Sequence, residues 1–143
     1  ENMWCWDSAE DHACFAACAT PESFLAHLNA VNDPDLVACL DVGHAEMRGL
    51  GTSAPEMIRA LGKRIAALHL HDNDRWHDSH QLPFSMQIDF DAIVRALKQI
   101  GYSGWFTLEA DAYLNAFDAD TVDRGLRNME QAARKLAGLF EAC

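Results

Sequence analysis

Basic side chains are scarce in this sequence. Lysine and arginine number 11 against 22 aspartates and glutamates, which leaves a formal charge of −11. A surface so short of cations is ill suited to neutralising a phosphate backbone, so no nucleic-acid partner is expected. The cysteines lack pattern. The five, at positions 5, 14, 18, 39 and 143, form no C-x-x-C pair, and Cys39 lies inside an apolar run. They read as reduced thiols without a disulfide framework, and the chain as cytoplasmic. No apolar run approaches the ~18 residues of a membrane span and no signal peptide is visible, so no membrane partner is expected. Low-complexity segments and internal boundaries are missing too, and residues 1–143 read as a single domain's worth of chain. There is no initiator methionine. The opening Glu1-Asn2-Met3-Trp4 reads as a processed product or as a piece of something longer.

What is present is a core and one dense polar stretch. Half of the residues are hydrophobic (50%), enough to bury a sizeable interior. Between Leu68 and His80 fall four of the seven histidines together with Asp72, Asp74 and Asp78. The apolar run Ile65-Ala66-Ala67-Leu68 just before it predicts a strand over 65–70. On a strand His69 and His71 share one face while Leu68 and Leu70 take the other, because side chains alternate. Imidazoles and carboxylates at a strand end can hold a divalent cation or titrate near neutral pH.

The remaining elements alternate. Residues 1–19 show no clear periodicity and read as loop. Thr20-Pro21-Glu22 predicts a helix start, with Phe24, Leu25, Leu28 and Val31 on one face and a stop at Asn32 to Asp35. A buried strand is expected over 36–41, closing on Asp41, with Val42-Gly43-His44 as the turn leaving it. Ser53 to Glu56 predicts a capping box before a helix carrying Met57, Ile58 and Leu61. Asp89 is expected to cap a helix through Ile93, Val94 and Leu97 that stops at Gly101, and Trp105 to Glu109 reads as another strand. The spacing of Val122, Leu126, Met129, Ala133, Leu136 and Phe140 predicts a long amphipathic helix. Alternating strands and helices at this spacing predict an α/β fold with a parallel sheet and right-handed crossovers.

Each predicted strand delivers an ionisable residue at its C-terminal end: Asp41, His69 and Glu109, with Glu1 in the same position if a strand precedes it. That edge is where sites form in parallel α/β folds. Three carboxylates and one imidazole make an oxygen-rich set suited to Mn²⁺, Co²⁺, Zn²⁺ or Mg²⁺. Such an ion can chelate a carbonyl and its neighbouring hydroxyl, and glutamates on either side can then move a proton at the carbon between them. Asp78 and His80, with His44, are candidates for a second ion or for substrate hydroxyls. The lesser alternative for Asp41 is a cap for the turn at 42–44.

Taken in order, Asp41-Val42-Gly43-His44, His69 with Asp72-Asn73-Asp74 behind it, Asp78-Ser79-His80 and Glu109 resemble the C-terminal half of the xylose-isomerase-like TIM barrels. That superfamily includes sugar phosphate isomerase/epimerase proteins, ketose 3-epimerases, hydroxypyruvate isomerase, inosose dehydratase and endonuclease IV. The resemblance runs from the end of barrel strand five through helix eight. It implies a metal-dependent sugar or sugar phosphate isomerase/epimerase, with Glu1, Asp41, His69 and Glu109 on the metal. Glu1 and Glu109 would be the acid/base pair, with His44, Arg75, Asp7 and Trp4 as substrate contacts. The other members imply alternatives: an endonuclease IV-like multi-zinc phosphodiesterase using His44, Asp78 and His80, an inosose dehydratase-like lyase, or an inactive half-barrel. The family's glycine-rich stretch is Pro83-Phe84-Ser85-Met86-Gln87 here, so that loop is expected to take another path. A complete barrel needs roughly 250 residues. A half-barrel leaves sheet edges open, so a homodimer that closes it is an expected partner.

Overall fold

Residues 1–19, expected as loop, contain an antiparallel hairpin in which β1 (Trp4–Asp7) pairs with β2 (His12–Phe15). Trp4, Trp6 and Phe15 favour extended backbone. The Asp7 carboxylate starts the turn by accepting from the backbone N–H groups of Ala9 and Glu10, at 2.9 and 3.3 Å. Two strands of four residues are too short to display periodicity. The computed structural model describes residues 1–143.

α1 (Pro21–Val31) starts as expected, with the Thr20 side chain accepting from Ser23 N and the Ser23 hydroxyl accepting from Thr20 N. Phe24 and Leu28 are buried, whereas Val31 in the last turn is exposed. β3 (Ala38–Asp41) is shorter than the apolar run that contains it. The expected turn at 42–44 is instead a single helical turn, α2 (Val42–Ala45), with Asp41 as its N-cap. α3 (Ala54–Leu61), β4 (Ile65–Leu70) and α4 (Phe90–Gln99) follow where the sequence places them, α3 and α4 capped by Ser53 and Asp89. β5 is only Thr107–Leu108; Trp105, expected inside it, is 86% exposed. α5 (Val122–Ala142) is the long C-terminal helix. Its buried line runs through Gly125, Ala132 and Leu136 and misses Leu126, because Leu114 and Phe117 pack against Gly125.

β3, β4 and β5 form one parallel sheet in that order, and α1, α3, α4 and α5 pack in sequence beside it. The register pairs Leu40 with Leu68 and Asp41 with His69. Leu40, Leu68 and Leu70 join the helices' apolar faces in one core of 21 buried residues. Alternation sends Cys39, Asp41, Ala67 and His69 to the opposite face. The hydrophobic pattern that fixes the core therefore also fixes which face carries the polar groups.

Asn2 completes the side of β3 away from β4. Its amide donates to Asp41 O and accepts from Asp41 N, both at 2.8 Å, as a neighbouring strand would. Both groups are buried, so Asn2→Ala should cost about 1–3 kcal/mol. Urea unfolding checks this; unchanged stability would mean that water replaces the amide without penalty.

Candidate active site

The C-terminal ends of the three parallel strands meet on one rim. Asp41 ends β3, His69 lies near the end of β4, and Glu109 follows β5, tied there by its N–H donating to Leu70 O at 3.0 Å. Glu1 comes in beside them, and one ligand atom from each of Glu1, Asp41, His69 and Glu109 lies within 4.8 Å of the others. His69 Nδ1 stands 2.8 Å from Glu109 Oε2 and 3.4 Å from Glu1 Oε1. The Cys39 thiol, two residues below Asp41 on the same face, falls within the same distance of Glu1 and His69.

Asp41 does two jobs with one oxygen. Its Oδ1 accepts from His44 N at 2.7 Å, capping α2, and lies 3.1 Å from His71 Nε2. That leaves Oδ2 buried and without a hydrogen-bond partner. Capping and participation in the cluster are therefore compatible. Glu109 Oε2 is likewise unpartnered, because His69 Nδ1, though close, is poorly directed for a hydrogen bond.

A second group lies beside the first. His44, His71, Asp78 and His80 also bring one ligand atom each within 4.8 Å. His44 Nε2 is 3.0 Å from Asp78 Oδ2, and His44 Nδ1 is 3.0 Å from Asn2 O. The His71 and His80 rings stack at 3.9 Å between centroids. His71 completes this group; its signal in the sequence was the H-x-H spacing, which puts it on His69's face one step further along. His80 sits in the left-handed region at φ 44°, a conformation that costs a non-glycine residue about 1 kcal/mol.

Charge in these groups is strongly perturbed. Burial works against the charged form of His44, but the hydrogen bond to Asp78 and the charges of Asp41 and Asp78 outweigh it, raising its pKa to about 9. Burial would raise Asp78, yet His44, Trp4 and His71 hold it down to about 2. For Asp41 burial is again opposed and overcome, chiefly by His71, and the net shift is downward. Glu109 shifts upward, through burial first and the nearby Asp41 charge, against the pull of His69.

Of the expected substrate contacts, two join the site and two do not. His44 is within it. Trp4 donates its indole N–H to Asp78 Oδ2 at 3.1 Å and, with Trp6, Trp76 and His77, lines a cleft of about 410 Å³ beside Asp78. Arg75 instead pairs with Glu46, its guanidinium 3.2 Å from the carboxylate, and Asp7 is engaged in the hairpin turn. Asp72, named in the sequence without a role of its own, shapes the loop over 83–87. Its buried carboxylate accepts from Met86 N at 2.8 Å and Ile88 N at 3.0 Å, while Phe84 adopts φ 72°.

The first group suits a divalent ion. Two ligands on opposite sides of one ion stand ~4 Å apart, close to the spread found here, and the set supplies three carboxylates and an imidazole. A buried carboxylate oxygen without a hydrogen-bond partner is costly unless a cation takes that place, and Asp41 Oδ2 is such an atom.

Known proteins share this arrangement of strands. A D-allulose 3-epimerase from Methylomonas sp., also solved in complex with D-allulose, superposes with a TM-score of 0.56 at 26% identity, over 88% of this chain and 42% of its own. A D-psicose 3-epimerase from Clostridium cellulolyticum H10, solved with D-tagatose, gives 0.67 at 18% identity, over 85% and 44%. An uncharacterised protein of Methanocaldococcus jannaschii is 32% identical over 90 residues, covering 63% of this chain and 31% of that protein. The chain thus spans less than half the length of these relatives, and its sheet corresponds to part of a (β/α)₈ barrel. Residues 1–139 match the xylose isomerase-like TIM barrel family, and the chain belongs to it.

Proposed function

We propose that this chain supplies the C-terminal half of the catalytic rim of a metal-dependent sugar isomerase/epimerase. The observation that carries the reading is the convergence of Glu1, Asp41, His69 and Glu109, with Asp41 Oδ2 and Glu109 Oε2 buried and unpartnered. These four residues would hold the ion. When bound, a divalent ion polarises a ketose carbonyl and acidifies the adjoining C–H.

The chain's own groups do the rest. Asp41 orients His71 and caps α2. Glu109 and Glu1 exchange the proton, one removing it from one face of the carbon and the other returning it to the opposite face. His44 and the Trp4 indole hold Asp78, and the tryptophan cleft offers apolar surface to the C–H face of a sugar. Arg75, the cation expected nearest the substrate, is committed to Glu46. An uncharged ketose therefore fits this acidic rim better than a sugar phosphate, which calls for free cations. The sugar epimerases among the structural relatives support the same class of substrate.

The test is exchange at carbon. With Mn²⁺ and D-allulose in D₂O, NMR should show deuterium entering at the carbon next to the carbonyl, and Glu109→Gln should slow this by 10²-fold or more, in the range for loss of a positioned acid/base group. Exchange at an undiminished rate in the variant removes Glu109 from the proposed role. A complete, metal-loaded barrel that contains this chain and exchanges no ketose removes the reaction.

The second histidine-rich group favours one other reading, a multi-zinc phosphodiesterase. The −11 charge weighs against it. Tight binding of duplex DNA at low salt would reverse that preference.

A further inference from the structure

The β1–β2 hairpin places two thiols face to face. Cys5 and Cys14 are directly opposite in the antiparallel register, and their Sγ atoms lie 2.8 Å apart. That is shorter than any ordinary hydrogen bond to sulfur and well inside non-bonded contact, although both are free thiols. Opposed positions on neighbouring strands bring Cβ atoms to ~4.5–5.5 Å, just beyond the 3.5–4.5 Å that a disulfide spans, so only a small closure is needed. Cys5 is exposed and open to reaction from solvent; Cys14, across from it, is half-buried. The other three cysteines have no such partner.

We propose that Cys5 and Cys14 are an oxidisable pair, closed to a cross-strand disulfide by a small-molecule disulfide, and that this bond clamps the hairpin against the second histidine group. The chemistry balances with that oxidant. The Cys5 thiol loses its proton and attacks one sulfur of RS–SR; the S–S bond breaks and one RSH leaves. The Cys14 thiol then loses its proton, attacks the Cys5 sulfur and expels a second RSH. Two thiols are oxidised, and one RS–SR is reduced to two RSH. The hydrogen bond with Cys5 and then burial raise the Cys14 thiol to about 11, and the exposure of Cys5 makes it the thiol that a disulfide in solution reaches first.

The consequence reaches the site through two contacts. Trp4, the residue before Cys5, donates to Asp78. Ala13 N, in the residue before Cys14, donates to Arg48 O at 3.1 Å, tying β2 to the segment that follows His44. Locking the register of β1 on β2 thus restrains the anchor of Asp78. The inference stands on the hairpin alone and is independent of the reaction proposed above.

The experiment is thiol counting with peptide mapping on the 143-residue chain, kept dilute to suppress intermolecular bonds at Cys143, before and after equilibration with oxidised glutathione. Free thiols should fall from five to three, with a single intramolecular link joining the peptides of Cys5 and Cys14. Amide exchange over 4–15 should slow by tenfold or more on oxidation, and dithiothreitol should reverse both changes. In Cys14→Ser, Cys5 should stop at a mixed disulfide with glutathione. A count that stays at five, a link that uses Cys18, or wild-type Cys5 stalled as the glutathione adduct would each overturn the assignment. A link that forms without slowing hairpin exchange would overturn the clamp.

Discussion

Asp41→Asn should leave the protein folded and remove the metal. The side-chain carbonyl of asparagine can still accept from His44 N, so α2 keeps its cap, and the stability change should stay near 1 kcal/mol. The amide nitrogen then occupies the place of Oδ2, the oxygen that has no partner in the structure, and turns N–H donors toward the cluster. A cation there loses a ligand and meets positive dipoles. Affinity for Mn²⁺ should fall by at least the ~100-fold that changes around metal ligands reach. Competition against a chromophoric chelator measures it, and equal affinity in wild type and variant would exclude Asp41 as a ligand. Asp41→Ala should behave differently. It strips the cap from α2 and leaves His71, which is fully buried, without its partner, so it should unfold in urea with a loss of about 3–5 kcal/mol.

Gly43→Ala should destabilise the fold sharply. A Cβ at Gly43 would lie 2.0 to 2.6 Å from three atoms of the His71 ring. The ring has nowhere to go: it is fully buried, faces Asp41 through Nε2 and stacks on His80. Asn73 also donates to Gly43 O at 3.1 Å, so the backbone is pinned from the other side. Overpacking of this kind costs about 1–3 kcal/mol, and here it must also displace a member of the second histidine group. Gly138→Ala is the natural control. It lies within α5 with nothing near its missing Cβ, so the same methyl should stabilise by about 0.5–1 kcal/mol. Denaturant midpoints for the two variants should move in opposite directions. If both move the same way, the close approach of Gly43 to His71 is not what makes that position special.

The frame of the site was legible because strand ends are legible. Leu68 and Leu70 face the core, so His69 faces away from it, and an apolar run closing on Asp41 or Glu109 announces where a parallel strand stops. Caps at Thr20, Ser53 and Asp89 placed the helices for the same reason: their side chains satisfy backbone groups within three residues. What stayed hidden depends on distance along the chain. Asn2 substitutes for a strand partner of Asp41, 39 residues away, and Trp4 reaches Asp78 across 74. No local pattern encodes such pairs. Arg75 and Asp7 show the reverse: each has the chemistry of a substrate contact, yet Glu46 and the hairpin turn engage them first. The stripe on the last helix misses at Leu126 alone, because Gly125, which carries no apolar signal, marks the side that packs there, while Leu136 is buried where the spacing puts it.

Metal content per chain tests the central claim most directly. The wild-type protein, His69→Ala and Asp41→Asn would be loaded with excess Mn²⁺, desalted and analysed element by element across a size-exclusion peak. The account predicts at least one bound ion per wild-type chain, and one fewer in either variant at an unchanged elution volume. A wild-type chain that holds no ion, or variants that retain the full complement, would contradict it, because the four side chains would then meet for some purpose other than holding a cation.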